Sequence, residues 1–284
     1  MRIKSNTIFL CHYTYSMMTF ALLIYGQVRC ALSGRYLESN IVELWKITKG
    51  ANVDVYVLSE RGTNSVFEED NVKAIFGKYN LNLKLYSYID QYPEISIMET
   101  EIQNNYDTIV GEECSFHNID NYKGYNNFVA KLWYRRGYLH HIWQSMNNNR
   151  STNYDYVIWG RFFDMDYRIL KDFDFLKKND DCLYIAGDSF FMGSESNMNK
   201  LSEFAQDISA SLCGNEIWEN VDFTRFFGAI DSCLCFHKPT YCSEVQLANY
   251  VWRTFKSYRN LRFDYNNWQP KMGEDYMWAV IKRA

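Results

Sequence analysis

The chain is poor in proline, with three in 284 residues, and carries no Pro- or Ser-rich linker, low-complexity tract or internal repeat. A string of tethered modules or a solenoid is therefore not expected. Three Gly-based signatures are missing: the G-x-x-x-x-G-K-[ST] phosphate loop, the G-x-G-x-x-G dinucleotide turn and the G-x-S-x-G nucleophile elbow. P-loop kinase, dehydrogenase and serine-hydrolase readings lose their support. There is no basic excess either. The formal net charge is −4, which argues against a nucleic-acid coat. No C-x2-C knuckle is present. The eight cysteines, dilute in a chain of this length, read as buried free thiols rather than a disulfide framework. Cys233-Leu-Cys235-Phe-His237 with Cys242 is a weak zinc candidate, because a C-x-C pair lacks the usual ligand spacing. A full membrane span is missing too. Ile8–Tyr25 is apolar but is broken by His12, Thr14, Ser16 and several tyrosines, and it has no small-residue cleavage site. Residues 1–18 are read as a short leader before one domain over 19–284. The expectation is a cytoplasmic protein without stable membrane insertion, and an anchor through this run is the alternative.

What is present is an ordinary globular balance, 47% hydrophobic against 23% charged, in a length that suits one large domain. Thr19–Tyr25 is apolar at every position but the first. Such a run suits a parallel strand covered on both faces. A helical pattern over Tyr36–Lys49 and a second run, Val53–Leu58, complete a β-α-β unit. The pattern continues with a short helix over Val72–Tyr79 and a strand over Leu81–Tyr88. A polar, irregular surface region follows over Tyr92–Tyr122, then a helix over Asn126–Met146 with Phe128, Leu132, Tyr138, Leu139, Ile142 and Met146 as its apolar stripe. Strands are predicted at Tyr154–Trp159 and Cys182–Ala186, and helices at Asn197–Leu212 and Val245–Phe255. The fold class is α/β, a mixed and mostly parallel sheet flanked by helices in a single domain.

The chemistry concentrates in Tyr156-Val-Ile-Trp-Gly-Arg161-Phe-Phe-Asp164-Met-Asp166. A buried strand delivers Arg161 and then two carboxylates at i, i+2, beyond the strand's carboxyl end, where open α/β sheets bind ligands. Two hard oxygen donors there suit Mg²⁺ or Mn²⁺, with nucleotide phosphates filling other positions. Taken singly, the pair is also a solvated acidic turn. Lys131 and Arg135 stand i, i+4 on one helix face. They would neutralise a diphosphate or simply form a solvated basic face beside Arg136. His140-His141 on a helix point in different directions, which speaks against a paired metal site.

With these elements in order, the sequence resembles GT-A-type glycosyltransferases with a D-x-D motif. It is most similar to the small sugar transferases of large DNA viruses and of bacterial surface-polysaccharide loci. The resemblance runs over residues 19 to 255. It rests on the first strand ending Gly26-Gln27-Val28-Arg29, Val53-Asp-Val-Tyr-Val57, the helix with Lys131 and Arg135, Arg161 before Asp164-Met-Asp166, Gly187-Asp188 through Gly193-Ser194, and Ser243-Glu244. It implies a GT-A-like fold, a UDP- or GDP-linked sugar donor, a divalent metal and a glycan or glycoprotein acceptor. By resemblance, Asp164 and Asp166 bind the metal and donor phosphates, while Gly26, Gln27 and Arg29 line the nucleotide. Metal and Arg/Lys groups would stabilise the departing diphosphate. An inverting enzyme also needs a carboxylate base. Asp188, in the loop between Gly187 and Gly193, is the first candidate and Glu244, at a helix start, the second. Each also reads as an ordinary turn or first-turn acid. A third metal ligand would be His237 or Asp275. The other functions weighed are a non-catalytic carbohydrate-binding or virion-associated module on the same scaffold, and a nucleotidyltransferase.

Overall fold

The computed structural model describes residues 18–28, 36–48, 51–62, 65–113, 119–151, 153–162, 167–171, 173–177, 180–186 and 190–206, together with 247, 250–251, 254–260, 263–264 and 269–270; for 105–113 and 119–129 the description is of the backbone alone. Seven strands form one sheet in the order β3-β2-β1-β4-β6-β5-β7. They are β1 (Thr19–Gly26), β2 (Asn52–Ser59), β3 (Asn82–Tyr88), β4 (Tyr156–Arg161), β5 (Cys182–Ala186), β6 (Phe190–Gly193) and β7 (Ser257–Asn260). Neighbours pair parallel except at β6, which runs antiparallel to both β4 and β5. A separate two-stranded pair joins β8 (Phe263–Asp264) to β9 (Gln269–Pro270).

The α/β class expected from the sequence is what the chain adopts, as a mixed, mostly parallel sheet with helices. Strand β1 shows why its apolar run is unbroken. Ala21, Leu23 and Tyr25 join one core cluster, while Phe20, Leu22 and Ile24 join the other. Helices α1 (Tyr36–Thr48) and α2 (Ser65–Lys78) supply Leu37, Ile41, Leu44, Val72 and Phe76 to the second cluster. The opposite face is covered by α3 (Pro93–Glu113), α4 (Ile119–Asn147) and α5 (Glu195–Gln206), through Ile95, Ile102, Trp133, Trp143, Met198 and Leu201. A strand between two helical layers must be apolar on both sides, and β1 is.

Several boundaries differ from the sequence reading. The region read as irregular over Tyr92–Tyr122 contains the 21-residue helix α3 and the start of α4. Its signals were sparse: Pro93 at the first helical position, Glu94 beside it, and a narrow stripe of Ile95, Met98 and Ile102. Phe190–Gly193, read as part of a loop, is the reversed strand β6, whose four residues are all buried. Four apolar residues carry too little periodicity to separate strand from buried loop. The short strand β7 was likewise missed, and α2 begins at Ser65, well before Val72. On α4 Leu132 and Leu139 of the expected stripe are buried, together with Ala130, Trp133, Tyr134, Arg136, His140 and Trp143, whereas Met146 of that stripe is 51% exposed.

Gly26 closes β1 at φ +110, and a Cβ added there would meet nothing within 4 Å. The constraint is therefore backbone conformation, not space. Gly26→Ala is expected to lower stability by about 1 kcal/mol or more through strain alone, read as a lower urea midpoint with an unchanged m-value.

Candidate functional site

Strand order marks one edge of the sheet before any side chain is considered. From β1 the chain moves outward through β2 to β3 on one side, then returns to place β4 on the other side of β1. The order reverses between β1 and β4, and outside the carboxyl ends of such a strand pair the flanking connections diverge and leave room for a ligand. The register sets Tyr25 of β1 beside Arg161 of β4 at this edge. The open space at Gly26 lies one residue further along β1.

Tyr25 and Arg161 are joined. Arg161 Nε–H donates to the Tyr25 hydroxyl at 2.7 Å. The same oxygen accepts a hydrogen bond from Arg136 Nη2 on α4. Arg136 is almost wholly buried, and its guanidinium lies 4.4–5.0 Å from the ring centres of Tyr25, Trp133 and Phe191. Aromatic faces stabilise a buried cation that water cannot reach. Two guanidiniums drawn to one hydroxyl concentrate positive charge at the corner where β1 and β4 end. In the sequence Arg136 stands out only as a neighbour of Lys131 and Arg135, for which a solvated basic face is one of two readings. The missed signal is its position at i+3 from Trp133 and i−4 from His140, in the apolar phase of the helix.

Beyond Arg161 the chain is anchored twice. Phe162 and Tyr167 are buried in the core cluster on the α1–α2 side. The four residues between them, 163–166, include Asp164 and Asp166, which lie outside the described residues, as do Arg29, Asp188, Glu244, His237 and Asp275. Among the described residues no group of three or more His, Cys, Asp or Glu is arranged to hold a metal ion. The Cys233–Cys242 cluster also falls outside them, while Cys182 is a buried free thiol.

The other expected site residues form a neighbouring network. Gln27 Nε2 donates to Glu60 at the end of β2. Glu60 pairs with Arg135, which also pairs with Glu99 of α3 and donates from Nη2 to Glu99 Oε2 at 3.1 Å. Burial opposes the Arg135 charge, yet Glu99 and Glu60 together raise its pKa. Lys131 Nζ donates to Gln103 at 3.1 Å, also on α3. Gln27, Lys131 and Arg135 thus have their polar groups engaged by protein. Arg135 ties the end of β2 to the bodies of α3 and α4 more directly than it offers charge to a ligand.

No family model matches the chain, and neither a curated protein nor a solved structure matches it. What the site can do therefore rests on its own geometry.

The two adjacent histidines of α4 diverge, as their sequence positions require. His140 is fully buried; its Nδ1 accepts from Trp159 Nε1 at 3.1 Å and its Nε2 lies 2.7 Å from Asn199 Oδ1. Indole N–H can only donate, so Nδ1 is the acceptor and Nε2 carries the proton. Burial lowers the His140 pKa to about 4, which keeps it a neutral structural bridge between α4, β4 and α5. His141 is exposed. No helix among the described residues is long and apolar enough to cross a membrane.

Proposed function

We propose that this chain is a metal-dependent glycosyltransferase that moves a monosaccharide from a UDP- or GDP-linked donor to a glycan or glycoprotein acceptor. The observation that carries the reading is the meeting of Arg161 and Arg136 at the Tyr25 hydroxyl, at the carboxyl edge where strand order reverses, two residues before the segment that holds Asp164 and Asp166. The mostly parallel sheet with its reversed strand β6 supports the GT-A-like architecture that the sequence resemblance implies. Open space at Gly26 leaves room for a nucleotide to approach the backbone.

In the reaction the bond between the anomeric carbon and the donor phosphate breaks, and its electron pair leaves with the diphosphate. The acceptor oxygen bonds to that carbon and loses its proton. Arg161 is suited to stabilise the leaving diphosphate, because a guanidinium offers paired donors to phosphate oxygens and keeps its charge at any working pH. Arg136 acts behind it by fixing the Tyr25 oxygen that orients Arg161. Asp164 and Asp166, as two hard oxygen donors, would hold Mn²⁺ or Mg²⁺, which when bound supplies further charge stabilisation on the phosphates. Asp188, or else Glu244, would take the acceptor proton in an inverting reaction.

The test is a thermal-shift screen of nucleotide sugars with and without Mn²⁺. A matching donor at a hundredfold excess over Kd should stabilise the chain by about 2.7 kcal/mol, and the metal-dependent part should vanish in Asp164→Asn with Asp166→Asn. If no nucleotide sugar raises Tm even with Mn²⁺, the reading fails. If that double variant still binds glycans while no transfer is found in the parent, the non-catalytic module replaces it.

A further inference from the structure

At the opposite, amino edge of the sheet lies a cavity of about 390 Å³ that the proposed transfer does not use. It forms where the end of α4, the chain leading into β4 and the first turns of α5 meet. Strand β6 runs back against β4, with Gly193 beside Val157, so the start of α5 arrives at the end of the sheet where β4 begins. The cavity is therefore a sheet-length away from the Tyr25–Arg161 corner.

Among the described residues its lining contains no aliphatic side chain. Five lining residues are primary amides, Gln144, Asn147, Asn148, Asn153 and Asn199, and the charges are one of each sign, Arg150 and Glu195. Bonds made behind the wall hold it in place. Asn147 Nδ2 donates to the Trp143 carbonyl at 2.7 Å and to the Tyr56 hydroxyl at 3.1 Å. The Tyr154 hydroxyl donates to the buried Asp54 carboxylate at 2.8 Å. The Tyr154 backbone N–H donates to Glu195 Oε2 at 3.1 Å. Since His140 donates to Asn199 Oδ1, the Asn199 amide hydrogens remain for the cavity. The Arg150 guanidinium carbon lies over the Tyr154 ring, 3.4 Å from its centre, and its buried Nη1 has no acceptor among the described residues.

This is an unusual wall for a pocket of ligand size, because such pockets are mostly apolar. An apolar ligand would strip water from these groups and leave them unpaired. A phosphate or carboxylate would meet the Glu195 charge as well as that of Arg150. Planar amide, carboxylate and guanidinium groups offer paired donors and acceptors, and neighbouring hydroxyls of a sugar ring accept and donate at matching spacing without net charge. We propose that this cavity binds a neutral saccharide of one or two rings. The inference rests on the lining alone and stands whether or not the chain transfers sugars.

Saturation-transfer NMR with free mono- and disaccharides, in EDTA and without nucleotides, tests it apart from any metal-dependent donor site. At least one saccharide should receive saturation from the parent chain, with backbone amide shifts at Ser145, Asn148 and Glu195. Arg150→Met and Ser145→Trp, the second of which fills the cavity from an exposed helix position, should weaken that binding at least tenfold. The proposal is overturned if no saccharide responds, if binding survives Ser145→Trp, or if only inorganic phosphate or glycine binds. Shifts in the parent chain decide the matter should either variant fail to fold.

Discussion

Arg161→Met is expected to lower transfer from a nucleotide sugar by about a hundredfold or more, the usual consequence of removing one preorganised donor from a charge-developing transition state. The loss should fall on kcat rather than KM, because the diphosphate carries more charge as it leaves than in the bound donor. Arg161→Lys should recover part of the rate by returning the charge without the paired donors. Tyr25→Phe should cost less than Arg161→Met, since it removes the oxygen that Arg161 and Arg136 share while leaving both cations in place. Release of free nucleotide diphosphate, followed in all three variants, measures these effects. An unchanged kcat/KM in Arg161→Met would remove Arg161 from the chemistry.

The second large effect concerns acid stability and does not depend on the reaction. His140 has a pKa of about 4 when folded, against an ordinary value of 6.5. Between these two values the unfolded chain binds a proton that the folded chain refuses, so stability falls as pH drops from 6.5 toward 4 and is fully present above 6.5. A difference of this size corresponds to about 3 kcal/mol. His140→Gln retains a donor and an acceptor for Trp159 and Asn199 but cannot titrate in this range. The variant should be less stable than the parent at pH 7.5, and the gap should narrow by pH 4.5. Urea midpoints at both pH values measure this directly. Because exposed carboxylates titrate alike in both proteins, the difference isolates His140. Parallel pH dependences would mean that the buried imidazole is not a proton-linked element of the fold.

The α/β class could be read because β1, β2 and β4 are apolar on both faces. A parallel strand between two helical layers has no solvent side, so its sequence has no polar phase. Cys182–Ala186 was legible for the same reason. Helix α3 was hidden by its surface position. Among its described side chains a narrow stripe of Ile95, Met98 and Ile102 faces the core, and the polar residues around it resemble those of a loop. Strand β6 was hidden by brevity, since four apolar residues are strand-like only once neighbours pair with them on both sides. The stripe expected on α4 includes the buried Leu132 and Leu139, but it counts apolar residues alone and so omits the buried Arg136 and His140.

Local sequence determined that β1 to β5 would be strands, that Arg161 ends one of them, and that Gly26 ends another. Both follow from side-chain chemistry and backbone freedom within a few residues. Pairing decided the rest. That β4 returns beside β1 makes the point where strand order reverses. That Tyr25 stands level with Arg161, within reach of Arg136 from a helix more than a hundred residues further along the chain than β1, makes it a charged corner. The amide-lined cavity depends on β6 reversing direction. These are long-range contacts, and no local pattern specifies which distant partner a buried cation or amide will meet.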